Sequence, residues 1–214
     1  MENKNNKLCV QYGCGLSAPK VWLNFDASPT LRIQKNIFLK YFIARLQDTK
    51  FPDNVKYGDI IKGLPVKPGT CDAVYCSHVL EHLSLTDFSK ALINTYNILK
   101  PGGVFRLIMP DLHAMIDEYI KNKMNNTSAS IDFIKNTGMG LEFRARGFKT
   151  FIKSFFGNSR HLWLWDFEST IAELERTGFK NIRKCKFNDS EIAEFKLVED
   201  EDRFNGAISL EMIR

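Results

Sequence analysis

The chain has 214 residues, 44% of them apolar, and a formal net charge of +5, which permits an anionic partner without demanding one. No apolar run approaches the roughly 20 residues of a membrane span, and no signal-peptide core follows Met1–Lys7. Five cysteines, at 9, 14, 71, 76 and 185, form no Cys-x-x-Cys pair, which fits a reducing cytoplasm better than a disulfide framework.

Leu8 to Tyr12 reads as a buried strand ending in Gly13-Cys14-Gly15. Val21 to Phe25 reads as a second strand, ending in Asp26. Pro29 can open a helix through Leu31, Ile33, Ile37, Phe38, Tyr41, Phe42 and Leu46. Val55 to Ile60 is a short third strand carrying the acid Asp59, and Cys71 to Ser77 a fourth. Leu85 to Leu99 is a helix with Ser84 or Thr86 as its cap. Lys100-Pro101-Gly102-Gly103 turns into a fifth strand, Val104 to Met109.

The strand–helix period then breaks. Residues 112–160 read as helical and irregular, with a polar patch at Asn125–Ser130. Alternation resumes with a helix at Phe167–Thr177, closed by Gly178. Two strands follow, near Asn181–Phe187 and Ala207–Ile213. The expectation is a single α/β domain over 1–214: a doubly wound, mostly parallel sheet, its last strand antiparallel, with a mainly helical insertion at about 112–160.

In such a sheet the glycine pair and Asp26 fall at neighbouring strand ends. Glycine lets a ligand touch bare main chain, and a carboxylate can accept from both hydroxyls of a ribose. Together they point to an adenosine-containing cofactor.

Gly13-Cys14-Gly15, Asp26, Gly58-Asp59, Ser77-His78-Val79-Leu80-Glu81-His82-Leu83 and Leu99-Lys100-Pro101-Gly102-Gly103, in this order and spacing, resemble the class I S-adenosylmethionine-dependent methyltransferases. The resemblance is to the compact Methyltransferase-11-like type with a Gly-Cys-Gly motif. It covers about residues 8–111 and returns weakly at 161–214. It implies that Gly13, Cys14 and Gly15 lie against the methionine part of the cofactor, and that Asp26 holds the ribose. Gly58, Asp59 and Ile60 would face the adenine, and Ser77 and His78 would line the cofactor near its methyl group. Two features depart from the family. Only Leu16 to Lys20 stand where it usually has its first helix, whereas a parallel crossover generally takes a dozen residues or more. Ala18 stands where a third glycine is usual.

The same residues admit other readings. Gly13-Cys-Gly15-Leu-Ser-Ala18 also fits a dinucleotide fingerprint, hence an NAD-dependent oxidoreductase, but Pro19 and the early Asp26 fit it badly. His78-Val-Leu-Glu81-His82 matches the inverted zinc-peptidase motif. That motif needs one long helix, whereas His78 here ends a strand. The two histidines are expected to point differently, His82 to pack or hydrogen-bond beneath the cofactor loop, and no metal to be bound.

Residues 143–160 hold five cations and no acid, with Phe148, Phe151, Ile152, Phe155 and Phe156 on one helical face. They can form an amphipathic lid, an acceptor-binding cap, or a reversible contact with an anionic membrane surface. There is no nucleic-acid module. Trp163 and Trp165 anchor the insertion in the core, or His161 and Trp165 face the acceptor pocket. Asp111 and His113 follow the fifth strand, at the edge where open α/β sheets bind ligands.

The reading is a methyltransferase that uses S-adenosylmethionine, yields S-adenosylhomocysteine, and methylates an oxygen or nitrogen of a small-molecule, sugar or carrier-linked acceptor. His161 is the first candidate for base or acceptor contact, ahead of His113, His78 and Asp111. The alternative is a non-catalytic binding protein that keeps the fold.

Overall fold

The computed structural model describes residues 7–35, 50–143 and 160–214. The expected helix beyond Lys35, with Ile37 to Leu46, and most of the basic aromatic segment, including Arg144, Arg146 and Phe148 to Phe156, lie outside the described residues.

The strands are β1 (Cys9–Tyr12), β2 (Trp22–Asp26), β3 (Val55–Tyr57), β4 (Cys71–Ser77), β5 (Leu99–Pro110), β6 (Lys180–Lys184) and β7 (Ala207–Ile213). They form one seven-stranded sheet in the order β3-β2-β1-β4-β5-β7-β6. β1 to β5 pair in parallel, and β7 runs antiparallel between β5 and β6. The α/β sheet with an antiparallel last strand is the expected one.

The helices are α1 (Pro29–Lys35), α2 (Leu85–Ile98), α3 (Leu112–Asn122), α4 (Ala129–Asn136) and α5 (Phe167–Thr177). Ser84 caps α2 by accepting the Asp87 amide. Asp166 caps α5 at the Ser169 amide (2.8 Å), and Gly178 ends it at φ +109°. On one sheet face, Val10, Tyr12, Phe25, Val74, Cys76, Phe105 and Leu107 pack with Phe88, Ala91 and Leu92 of α2 and Leu174 of α5. Trp165 stacks on Phe88 at 4.3 Å between ring centroids, so it anchors the end of the insertion in the core. Trp163 remains 41% exposed. Between β5 and α5, α3 and α4 meet through Tyr119 and Phe133, at 5.3 Å between ring centroids.

The other face has a different cover. Cys9, Trp22, Ala73, Tyr75 and Ile108 pack against Phe195 and Val198, from the segment between β6 and β7 that carries two 3₁₀ turns, Ala193–Leu197 and Glu201–Phe204. Arg106 of β5 is fully buried on this face. It donates to Glu199, to Glu211 Oε2 (2.8 Å) and to the Lys186 carbonyl (2.5 Å), and pairs with Asp189 at 3.0 Å. A buried guanidinium needs such partners, and they tie the segment to the sheet.

Two local expectations are corrected. Lys100–Gly103 is not a turn before the strand but a bulge inside it, because the β4–β5 register jumps from Cys71↔Leu99 to Ala73↔Val104. A Cβ at Gly103 would stand 2.8 Å from the Cys71 carbonyl, which only glycine allows. β6 stops at Lys184 instead of reaching Phe187, since Asp189 takes the Lys186 amide at 2.7 Å and turns the chain away.

Candidate functional site

The parallel crossover from β1 to β2 is a loop with no helix. Two buried amides stand in for one. Gln11 Nε2 donates to the Ser17 carbonyl (2.8 Å) and to Asn24 Oδ1 (2.6 Å), while Asn24 Nδ2 donates to the Pro19 carbonyl (3.0 Å). The loop is therefore held against the strand ends with its Ser17 and Pro19 carbonyls satisfied.

Its glycines differ in purpose. Gly13 (φ +64°) lies so close to Val79 that a Cβ would come within 2.1 Å of Cγ2. Gly15 (φ +54°) has nothing within 4 Å of that position. Gly13 is thus required by the fold, whereas Gly15 leaves space. Asp26 fixes the loop from below: Oδ2 accepts the Gly15 amide (3.0 Å) and Oδ1 the Ser28 amide (2.8 Å). Each oxygen keeps a second lone pair for a ligand hydroxyl. Burial, then the Asp26 charge, pushes the Cys14 thiol up to about 12, so it stays neutral and is no nucleophile.

A cavity of about 690 Å³ opens over the loop, within the ~300–1,000 Å³ usual for ligand sites. Residues 11–17, Tyr75 and Ser77 line one wall, and Val198, Asp200, Glu201 and Arg203 line the other. Tyr75 Oη and Ser77 Oγ are buried with no hydrogen-bond partner among the described residues. Burial pushes the Tyr75 phenol up to about 12, which leaves it a donor. Two buried hydroxyls without partners on the wall of a cavity are what a polar ligand satisfies. The second wall was not legible in the sequence. Tyr75 could have been found, because strand alternation sets it on the face of Ser77.

The other expected residues lie around this cavity, not in it. Gly58 donates its amide to the Asp26 carbonyl (3.1 Å), and a side chain there would meet Phe25 at 2.7 Å. Asp59 Oδ1 accepts the Ile61 amide (3.0 Å), with Lys62 3.7 Å from the other oxygen. Ile60 is buried in the core. Asp111 caps α3 at the His113 amide (2.9 Å). His113 is 69% exposed and pairs along its own helix with Asp117 at 3.3 Å.

His78 adjoins the cavity in a left-handed conformation, φ +53°, uncommon for a residue other than glycine or asparagine. Its Nε2 meets the Arg203 carbonyl at 3.0 Å, and Arg203 in turn donates to the Ser77 carbonyl at 3.3 Å. Burial opposes charge on the ring, but Glu81 and that carbonyl outweigh it and raise its pKa above the ordinary imidazole value. His78 and His82 do not point apart as expected. With His161 from beyond the insertion, they surround the carboxylate of Glu81.

Residues 10–107 match the family model described as a methyltransferase domain. An uncharacterized protein of Methanocaldococcus jannaschii is 30% identical over 121 residues, 56% of this chain and 48% of that protein. The match thus spans about half the length of that curated relative. Among solved structures, a Haemonchus contortus phosphoethanolamine N-methyltransferase in complex with phosphomonomethylethanolamine and S-adenosylhomocysteine is similar at 13% identity, over 100% of this chain and 50% of that one (TM-score 0.50). An S-adenosylmethionine-dependent methyltransferase from Archaeoglobus fulgidus is similar at 16% identity, over 99% of this chain and 87% of that one (TM-score 0.48). At 13% identity the likeness to the Haemonchus contortus enzyme speaks for the fold alone.

Proposed function

We propose that this chain, which carries a class I S-adenosylmethionine-dependent methyltransferase domain, holds that cofactor across the strand ends and passes its methyl group to an oxygen or nitrogen of a small-molecule or glycan-type acceptor. The observation that carries the reading is the cavity over Gly15, with the unpartnered hydroxyls of Tyr75 and Ser77 on its wall. The donor set fits the cofactor's groups. Arg203 suits its carboxylate, Asp200 and Glu201 suit its ammonium, and Asp26, beside the cavity beneath Gly15, suits the ribose diol. Cys14 contributes to the loop, and Gly58, Asp59 and Ile60 would flank the adenine.

The bound cofactor supplies an electrophilic sulfonium methyl, so the chain's part is to orient donor and acceptor and to exclude water. An acceptor hydroxyl must also lose a proton. Of His161, His113, His78 and Asp111, His78 is best supported for holding that proton: it alone adjoins the cavity, through Ser77 and Arg203. His113 and Asp111 are engaged in α3, and His161, which like His78 faces Glu81, is held on its other side by the Thr137 carbonyl, away from the cavity residues. Five free, buried cysteines agree with a reducing compartment such as the cytoplasm. Among the described residues no helix is long and apolar enough to cross a membrane. Contact with an anionic surface through 143–160 belongs to the same proposal.

Incubation with methyl-labelled cofactor and a panel of hydroxylated and aminated sugars and small molecules tests it. Label transfer accompanied by S-adenosylhomocysteine, reduced in Ser77→Ala and His78→Ala, is expected. Stoichiometric cofactor binding with no transfer to any acceptor would favour the non-catalytic alternative.

A further inference from the structure

Glu81 is 1% exposed, and neither of its carboxylate oxygens has a hydrogen-bond partner among the described residues. Burying a carboxylate in this way, without hydrogen-bond partners, is costly unless a cation compensates it. Three imidazoles surround Oε1: His78 Nδ1 at 3.5 Å, His161 Nε2 at 3.9 Å and His82 Nε2 at 4.0 Å.

The far nitrogens determine what the near ones can do. His82 Nδ1 meets the Arg160 carbonyl at 2.8 Å, and His161 Nδ1 meets the Thr137 carbonyl at 2.7 Å. A carbonyl only accepts, so each Nδ1 carries a hydrogen, and in the tautomer with hydrogen on Nδ1 alone each ring turns a lone pair from Nε2 toward Glu81. Lone pairs and a carboxylate do not bond to one another. At 3.9 and 4.0 Å the gaps are also too long for hydrogen bonds. They are close to what a shared cation needs. Bonds of about 2.1 Å set ligand atoms roughly 3.4 Å apart around a tetrahedral ion, and the three ligand atoms here lie within 4.8 Å of one another. Small side-chain rotations close the difference. Imidazoles whose second nitrogen is held by a carbonyl are the usual arrangement of metal-binding histidines.

We propose that Glu81, His82 and His161 form a site for one divalent transition-metal ion of the zinc type. Two imidazoles and one carboxylate are a zinc-like donor set. This revises the sequence expectation of no metal, which saw only His78 and His82 and could not see His161 arriving from beyond the insertion. The backbone already docks there: the Leu162 and Trp163 amides donate to the Glu81 carbonyl at 2.8 and 3.2 Å. A bound ion clamps this segment to the turn after β4, next to the cofactor loop. The side chains of His82 and His161 are 21% and 17% exposed, which leaves an entry path. The site shares the neighbourhood of His78, whose Nδ1 lies 3.5 Å from Glu81, but its ligands and its metal-binding test do not rest on the methyl-transfer reading.

The test uses the full chain, stripped with a chelator and titrated with Zn²⁺ against a chromophoric competitor, then with Co²⁺ read by visible absorption. One Zn²⁺ per chain is expected, together with a Co²⁺ spectrum of low coordination number. His161→Ala and Glu81→Gln should each weaken Zn²⁺ binding at least ~100-fold, the scale on which loss of even an outer partner is felt. His113→Ala, on an exposed helix, should leave it unchanged. S-adenosylhomocysteine titrated into the same samples separates the two proposals, since it should bind wild type whatever the metal result. Absence of a stoichiometric Zn²⁺ site in wild type, or affinity unmoved in both His161→Ala and Glu81→Gln, overturns the proposal.

Discussion

Gly13→Ala is the sharpest probe of the cofactor loop, because two costs can be read separately. The first is backbone: φ +64° is left-handed, at about 1–2 kcal/mol for a residue with a Cβ. The second is steric. The new Cβ would fall 2.1 Å from Val79 Cγ2, where carbon atoms rest at about 3.5–4.0 Å, so the loop or Val79 must move by more than an ångström. Overpacking of this kind costs roughly 1–3 kcal/mol, for a total of about 2–5 kcal/mol. Gly15→Ala carries only the backbone cost, about 1–2 kcal/mol, since nothing lies within 4 Å of its Cβ position. Urea unfolding of Gly13→Ala, Gly15→Ala, Val79→Ala and the Gly13→Ala/Val79→Ala pair measures both. The pair should recover about 1–3 kcal/mol relative to additivity, the steric part alone. If Gly13→Ala costs no more than Gly15→Ala, or the pair is additive, the loop does not sit against Val79 and the site geometry is wrong.

Other outcomes follow from single contacts. Asp26→Ala should weaken S-adenosylhomocysteine binding by on the order of 2–4 kcal/mol, measured by calorimetry, as one or two charge-assisted hydrogen bonds are lost. Arg106→Met leaves Glu199, Glu211 and Asp189 without their shared guanidinium, and should lower unfolding free energy by about 3–5 kcal/mol; a loss below ~1 kcal/mol would mean that the polar face is not buried. Burial raises the carboxyl pKa of Asp72, but the Lys100 ammonium and the Leu8 amide outweigh it and hold that pKa below its ordinary 3.8. Its stabilisation is therefore present above that value and lost as pH falls through the lowered one. The gap between wild type and Asp72→Asn in urea should be constant from about pH 5 to 8 and narrow below about pH 4.

The parts of the fold governed by local pattern were legible. Apolar runs ending in Gly13, Asp26 and Ser77 gave the parallel strands, and Ser84 and Gly178 marked helix ends through groups a helix terminus needs. The shortened β1–β2 crossover was also readable, from Leu16–Lys20 alone. What lies beyond local pattern was missed. Arg106 looks like an ordinary charge in a strand until Glu199, Glu211 and Asp189 close around it from distant segments. The wall formed by Val198 to Arg203 carries no motif. His161 meets Glu81 only in the folded chain, where Trp165 stacks on Phe88 and the Leu162 and Trp163 amides donate to the Glu81 carbonyl.

The central claim is that the cavity over Gly15 is the S-adenosylmethionine site, and calorimetric titration of the chain with S-adenosylmethionine and then NAD tests it most directly. One equivalent of S-adenosylmethionine should bind in the micromolar range, roughly −8 kcal/mol, with no measurable NAD binding. NAD bound at one equivalent, with no heat from S-adenosylmethionine, would contradict the account.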